Sequence, residues 1–211
     1  MKKERFLTTA RMTRIAILGV CAFILMYFEF ALPFIAPTFY KMDFSEIPVL
    51  IGGFALGPLS AVLIEFIKIL LKLLFKPTTT AFVGELANFL VGCAFAVPAA
   101  MYYQKNRTRR GAMIALLIGV LCMAAAGFAI NLWLVIPAYV SIMHFPLEAI
   151  IGAGQAIFPA VDSVFMLVLC CTTPFNLIKG VLLSVITVLL YKRVSPFLKQ
   201  RVHASQRTAA E

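Results

Sequence analysis

Three runs of this chain, Ile15 to Leu32, Met113 to Ile130 and Val181 to Tyr191, are almost free of charge. Apolar stretches of about 20 residues are what the hydrocarbon core of a bilayer selects. The remainder of the chain offers little polar surface with which to build a water-soluble globule. Only 13% of the residues are charged and the mean hydropathy is +0.97, against roughly a quarter charged in soluble domains. The expected fold is therefore an all-α integral membrane protein.

Net charge is +10, but its distribution points away from nucleic acid and toward lipid. Fourteen of the 19 basic residues fall in three clusters: Lys2, Lys3, Arg5, Arg11 and Arg14; Lys105, Arg107, Arg109 and Arg110; and Lys192, Arg193, Lys199, Arg201 and Arg207. Short basic segments beside spans mark the cytoplasmic side, so the chain must cross an even number of times between successive clusters. The first interval holds a span over 13–32, another over 80–103, and a segment of 32 residues from Phe44 to Phe75 between them. As one helix that segment would run about 48 Å, well beyond a core of about 30 Å. Gly57 and Pro58 interrupt it, and proline removes a donor and clashes with the turn before it. Splitting there predicts two short spans, 44–57 and 58–75.

The second interval predicts spans over 112–139 and 174–191. Between them His144 to Thr173, with Pro146, Glu148, Gly152, Gly154, Pro159 and Asp162, reads as an outer loop carrying an amphipathic or re-entrant helix. The expectation is a six-helix bundle over 1–198 with both ends inside, followed by a short polar cytoplasmic tail, 199–211, without regular structure. Met1 to Leu25 has the basic and apolar regions of a signal peptide, but no clear small-x-small cleavage site follows. The five cysteines lie in or beside apolar runs without C-x-x-C spacing and read as small fillers.

Charges and amides inside a span are costly, and so mark a function or pair with one another. Glu65, Lys68 and Lys72 share one helix face, as do Glu85 and Asn88; Glu65 with Lys68 also fits a neutralised pair, and Thr78 to Thr80 fit helix caps. Asn176 and Lys179, at i and i+3 just after Pro174, project an amide and an ammonium from one face. Asn131 adds a second amide, serving either to join helices or to contact a ligand. The outer loop Pro33 to Pro48 carries four aromatic residues with Lys41, Asp43 and Glu46. An interfacial aromatic belt explains the rings alone, whereas a binding lid explains the rings and the charges together. Such a site suits a flat, neutral, hydrogen-bonding solute.

Phosphate-binding G-x-x-x-x-G-K-S/T, H-E-x-x-H and G-x-S-x-G motifs do not occur. His144 and His203 lack partners at metal-ligand spacing. An intramembrane enzyme would have to be assembled from His144, Glu148 and Asp162, and Pro146 breaks the helical spacing of the first two.

The segment K-M-D-F-S-E-I-P-V-L-I-G-G-F-A-L-G-P, Lys41 to Pro58, resembles the riboflavin-specific substrate-binding (S) component of energy-coupling factor transporters. So do G-E-L-A-N-F from Gly84, N-L-W-L-V-I-P-A-Y from Asn131 and T-P-F-N-L-I-K-G from Thr173. The resemblance implies a six-helix bundle in the bacterial plasma membrane that captures riboflavin near its outer face, as transported ligand rather than cofactor. It also implies a membrane coupling subunit and two ATP-binding cassette subunits as partners. It places Asn131, Asn176 and Lys179 against the flavin ring, the loop around Met42 and Asp43 over it, and Gly84 and Asn88 beside it. An S component for another vitamin, such as thiamine, is the nearest alternative. The family's A-x-x-x-A docking pattern is replaced here by a stripe of Ala16, Gly19 and Ala22, with Val20 where the second alanine stands. An ordinary packing stripe within the bundle is the other explanation of those small residues.

Overall fold

The structure, a computed structural model, describes residues 8–207, with side chains through residue 191; the basic residues Lys2, Lys3 and Arg5 lie outside that range. Helix α1 (Thr9–Tyr27) leads into a two-residue hairpin, β1 (Phe30–Ala31) and β2 (Lys41–Met42), antiparallel with Phe30 opposite Met42. Helices α2 (Glu46–Leu56), α3 (Pro58–Phe75) and α4 (Val83–Lys105) follow. Next, α5 (Arg109–Ile130) passes through a π-helical turn, π1 (Asn131–Val135), into α6 (Ile136–Ser141). After α7 (Leu147–Gln155), α8 (Val164–Leu167) runs through a second π turn, π2 (Val168–Thr172), into α9 (Thr173–Arg207).

Among the described residues, four helices are long and apolar enough to cross a membrane: Thr9–Tyr27, Val83–Lys105, Arg109–Ser141 and Val164–Tyr191. The chain also breaks at Gly57, whose φ of 101° a side chain rarely adopts, with Pro58 opening α3 where its missing N–H costs nothing. At 11 residues α2 is about 16 Å long, short of the hydrocarbon thickness. Its first nine residues, Glu46 to Phe54, are all buried, which is the signature of a helix enclosed by others. Its C-terminal carbonyls, which no helical turn can satisfy, are met from neighbouring helices. Arg11 of α1 donates to Leu56 O, and Gln104 of α4 donates to Phe54 O at 3.0 Å.

Three sequence expectations change. The last span does not begin at Pro174: the helix starts at Val164, so much of the presumed loop is helical. Pro174 is carried inside because Thr173 N–H bonds Val168 O, five residues back, widening the turn that would otherwise strike the proline ring. The segment from residue 199, expected to be irregular, is helical to Arg207; polarity solvates a backbone without unfolding it. The small-residue stripe of α1 is divided, since Gly19 and Ala22 are buried while Ala16 and Val20 face outward. Gly19 packs against Ile67 of α3, so two of the three small residues of that stripe belong to the bundle interior.

Two of the charges on the face of α3, Glu65 and Lys68, form a buried cluster with Glu46 of α2. Lys68 Nζ lies 2.7 Å from Glu46 Oε1 and 2.5 Å from Glu65 Oε1, and donates to Ser45 Oγ at 3.2 Å. Gly92 lets α4 close over it: a Cβ there would collide with Glu65 Oε1 and sit 3.0 Å from Glu46 Oε1. Breaking a buried ion pair from one side costs about 3–5 kcal/mol, because the partner charge is left without compensation. Lys68→Met should therefore destabilise the protein by about that much, and adding Glu65→Gln should restore part of it. Thermal unfolding in detergent measures both; an unchanged midpoint for Lys68→Met would contradict a structural role for the cluster.

Candidate functional site

A cavity of about 310 Å³ opens where the ends of α1, α3 and α5 meet the starts of α4 and α9, within the range that holds small ligands. The loop between β1 and β2 folds over it as a lid and contributes Phe39, Tyr40 and Lys41, with Asp43 just beyond. Strand alternation decides which lid side chains face inward. Lys41 lines the cavity, whereas Met42 points the other way and is buried in an apolar cluster with Ala36, Ile136, Val168 and Phe175. Met42, which the resemblance places over the ligand, is therefore not among the residues that line the cavity.

The other six expected residues, Asp43, Gly84, Asn88, Asn131, Asn176 and Lys179, all line this one cavity. Lys179 Nζ lies 2.8 Å from Asp43 Oδ2, and both side chains are buried. Asp43 also accepts from Ser45 N–H at 2.9 Å and from the Ser45 hydroxyl, a turn that places its charge at the N-terminus of α2, where the helix dipole favours it. Burial opposes ionisation of Asp43, but Lys179 and Lys68, with the hydrogen bonds from Lys179 and Ser45, outweigh it and hold the pKa down to about 2. Asn176, 7% exposed, faces the cavity from the first turns of α9. The buried Oδ1 of Asn88 has no hydrogen-bond partner among the described residues, which leaves an acceptor open in the cavity wall.

Asn131 opens π1. Ile136 N–H bonds Asn131 O five residues back, immediately before Pro137, the same device that precedes Pro174. The amide donates through Nδ2 to Gly127 O at 2.7 Å, and its Oδ1 accepts from Tyr40 Oη at 3.0 Å. Tyr40 in turn accepts from Thr172 Oγ1 at 2.7 Å; burial raises the pKa of its phenol and keeps it protonated.

Residues that sequence inspection did not assign complete the walls. Phe39, Tyr40, Tyr139 and Phe175 form an aromatic side, with Phe39 and Tyr40 centroids 4.6 Å apart and Tyr40 and Phe175 5.9 Å apart. The aromatic content of the lid was the available signal for the first two; nothing in the spacing singled out Phe175. At the mouth, Thr78 and Thr80 hydroxyls each donate to Glu85 Oε2 at 3.0 Å while accepting backbone N–H groups of Phe82 and Gly84. They cap the turn and position a carboxylate, which holds Lys72 at 3.3 Å. Glu29 binds Lys41 and Lys76 together, at 2.9 and 2.6 Å, pinning the lid to the end of α3. Burial opposes its ionisation, but the hydrogen bonds from Lys76 and Lys41 lower its pKa.

Four lysines (Lys41, Lys72, Lys76, Lys179) and four carboxylates (Glu29, Asp43, Glu46, Glu85) line the cavity, so it is electrically balanced. By contrast, His144, Glu148 and Asp162 are all exposed. His144 has φ 53° and α7 begins only at Leu147, so no helix carries the first two on one face. Among the described residues, no group of three His, Cys, Asp or Glu side chains is placed to hold a metal.

Comparison with known proteins agrees along the length of the bundle. The family model "ECF transporter, substrate-specific component" matches residues 10–191. Riboflavin transporter FmnP of Bacillus subtilis (strain 168) is 29% identical over 188 residues, covering 89% of this chain and 93% of that protein. Riboflavin transporter RibU of Staphylococcus aureus (strain TCH60) is 29% identical over 190 residues, covering 90% and 93%. A solved structure of "the S component of a bacterial ECF transporter" superposes with a TM-score of 0.68 at 29% identity, covering 90% of this chain and 98% of that one. The fold, the cavity and the family match converge: this chain belongs to the substrate-specific components of ECF transporters.

Proposed function

We propose that this chain binds riboflavin at the outer face of a bacterial plasma membrane and delivers it as the substrate-capturing subunit of an ATP-driven importer. The carrying observation is the single cavity in which amides, a paired lysine and aromatic walls meet. Asn131, Asn176 and Lys179 offer hydrogen-bond groups for the carbonyl and imide edge of a flavin, and the aromatic residues cover its faces. Thr79, Thr80 and Asn88 at the mouth suit the hydroxyls of a ribityl chain. The names of the relatives support the same ligand. Balanced charge favours a neutral solute over a permanently cationic vitamin such as thiamine.

The chain acts as a transporter and not as an enzyme. ATP hydrolysis falls to partners, since no phosphate loop occurs in the sequence: a membrane coupling subunit and two ATP-binding cassette subunits. Six crossings with both ends in the cytoplasm complete the proposal. Arg11, the α2–α3 turn and Gln104 cluster at one end of the bundle beside the second basic cluster, and the cavity opens at the other. Positive charge inside then puts the cavity outside, where an importer meets its solute.

Purified protein should carry a flavin absorbance spectrum or quench riboflavin fluorescence one-to-one; a colourless protein that leaves the fluorescence unchanged would falsify the proposal. Asn176→Ala and Lys179→Ala should each weaken binding by about 1–3 kcal/mol, the cost of a buried polar partner left unmet, as read from quenching titrations. Lys179→Ala should also lower thermal stability, because it strands Asp43. A carboxylate whose folded pKa is depressed contributes stability that is complete above its unfolded pKa, 3.8, and is lost as pH falls through about 2. Affinity should accordingly show no Asp43-dependent change between pH 5 and 8, which titrations across that range would test.

A further inference from the structure

Tyr40 occupies a position that the assignment of the ligand contacts leaves unexplained. It belongs to the lid, yet its hydroxyl reaches both π turns: Asn131 Oδ1 in π1 at 3.0 Å and Thr172 Oγ1 in π2 at 2.7 Å. Those partners are 91 and 132 residues away in sequence, and Thr172 is fully buried. The protons in this chain of hydrogen bonds can be assigned from chemistry alone. Gly127 O is only an acceptor, so the side of the Asn131 amide that faces it at 2.7 Å must be the N–H side. That turns Oδ1 toward Tyr40, whose hydroxyl must donate to it. The phenol oxygen is then free to accept from Thr172. Asn131 retains one N–H and one lone pair, and it lines the cavity.

We infer that Tyr40 is a positioning residue for ligand recognition: its hydroxyl clamps the Asn131 amide in its reading orientation only while the lid is down, so that closing the lid and recognising the ligand are one event. The aligned amide presents an N–H to an acceptor on the edge of a flat heterocycle. When the lid lifts, the hydroxyl leaves both π turns, water replaces it, and Asn131 keeps only Gly127 O to orient it. The aromatic ring of Tyr40, 5.9 Å from that of Phe175, supplies packing that Phe would retain, so the proposal concerns the oxygen alone. It rests on the riboflavin reading above.

The test is a double-mutant cycle on riboflavin dissociation, followed by fluorescence recovery with the purified full chain in detergent. Tyr40→Phe should speed dissociation about fivefold to tenfold, the loss of one net hydrogen bond. Asn131→Ala should speed it at least as much, and the double variant no further than Asn131→Ala alone. Thr172→Val, which keeps the phenol but removes its donor, should give a smaller change that vanishes in the Tyr40→Phe background. Additive effects of Tyr40→Phe and Asn131→Ala overturn the inference, as does a Tyr40→Phe variant that loses thermal stability but releases riboflavin at the wild-type rate. If Tyr40→Phe does not fold, Thr172→Val decides, and an unchanged rate there overturns it. Wild-type protein that binds no riboflavin overturns both this inference and the proposed function, whereas binding with an unaltered Tyr40→Phe rate overturns this inference only.

Discussion

Two ammonium groups and three carboxylates, all buried, join the cavity to the interior of the bundle. The chain of contacts runs from Lys179 to Asp43, through Ser45 to Lys68, and on to Glu46 and Glu65. Charges in a low-dielectric interior are tolerated only when each finds a partner, and removing one member strands another. Helices α2, α3 and α9 and the end of the lid must therefore keep their relative positions for any of these groups to be satisfied. Lys179, which lines the cavity, is held by the same network that fixes α2, and the precision of the site derives from the core beneath it.

The second organising device is the pair of π turns. Each precedes a proline, Pro137 or Pro174, and each uses a bond five residues back to move the carbonyl that the ring would strike. A widened turn allows a long helix to continue past a residue that would otherwise end it. It also rotates the side chains that follow relative to those before. Asn131 lies in one such turn, and Phe175 and Asn176 follow closely on the other, so these cavity-lining groups sit where the helical repeat is locally reset. The lid reaches across to both through Tyr40.

Much of the architecture is readable without coordinates because the bilayer imposes one-dimensional rules. Apolar run length, basic clusters and the Gly57–Pro58 break are properties of neighbouring residues, and they yield long apolar helices with an interrupted pair between the first and the fourth. The boundary at Pro174 misled because proline is a local signal for a helix start, while the bond that accommodates it comes from Val168. The resemblance places Met42 and Asp43 together, yet adjacent residues of a strand face opposite ways, and of the two only Asp43 lines the cavity.

The amino-acid sequence by itself determined the membrane setting, the intramembrane amides and charges, and the resemblance to a family, since each depends on residue type and spacing along the chain. Only the tertiary structure decided how those groups combine. Glu65 and Lys68 became structural by meeting Glu46 from another helix, Lys179 was neutralised by Asp43 from the lid, and Tyr40 gained its role through partners 91 and 132 residues away. Hydrogen bonds and ion pairs act over a few ångströms in space, and no spacing in the chain records which distant residue will occupy them.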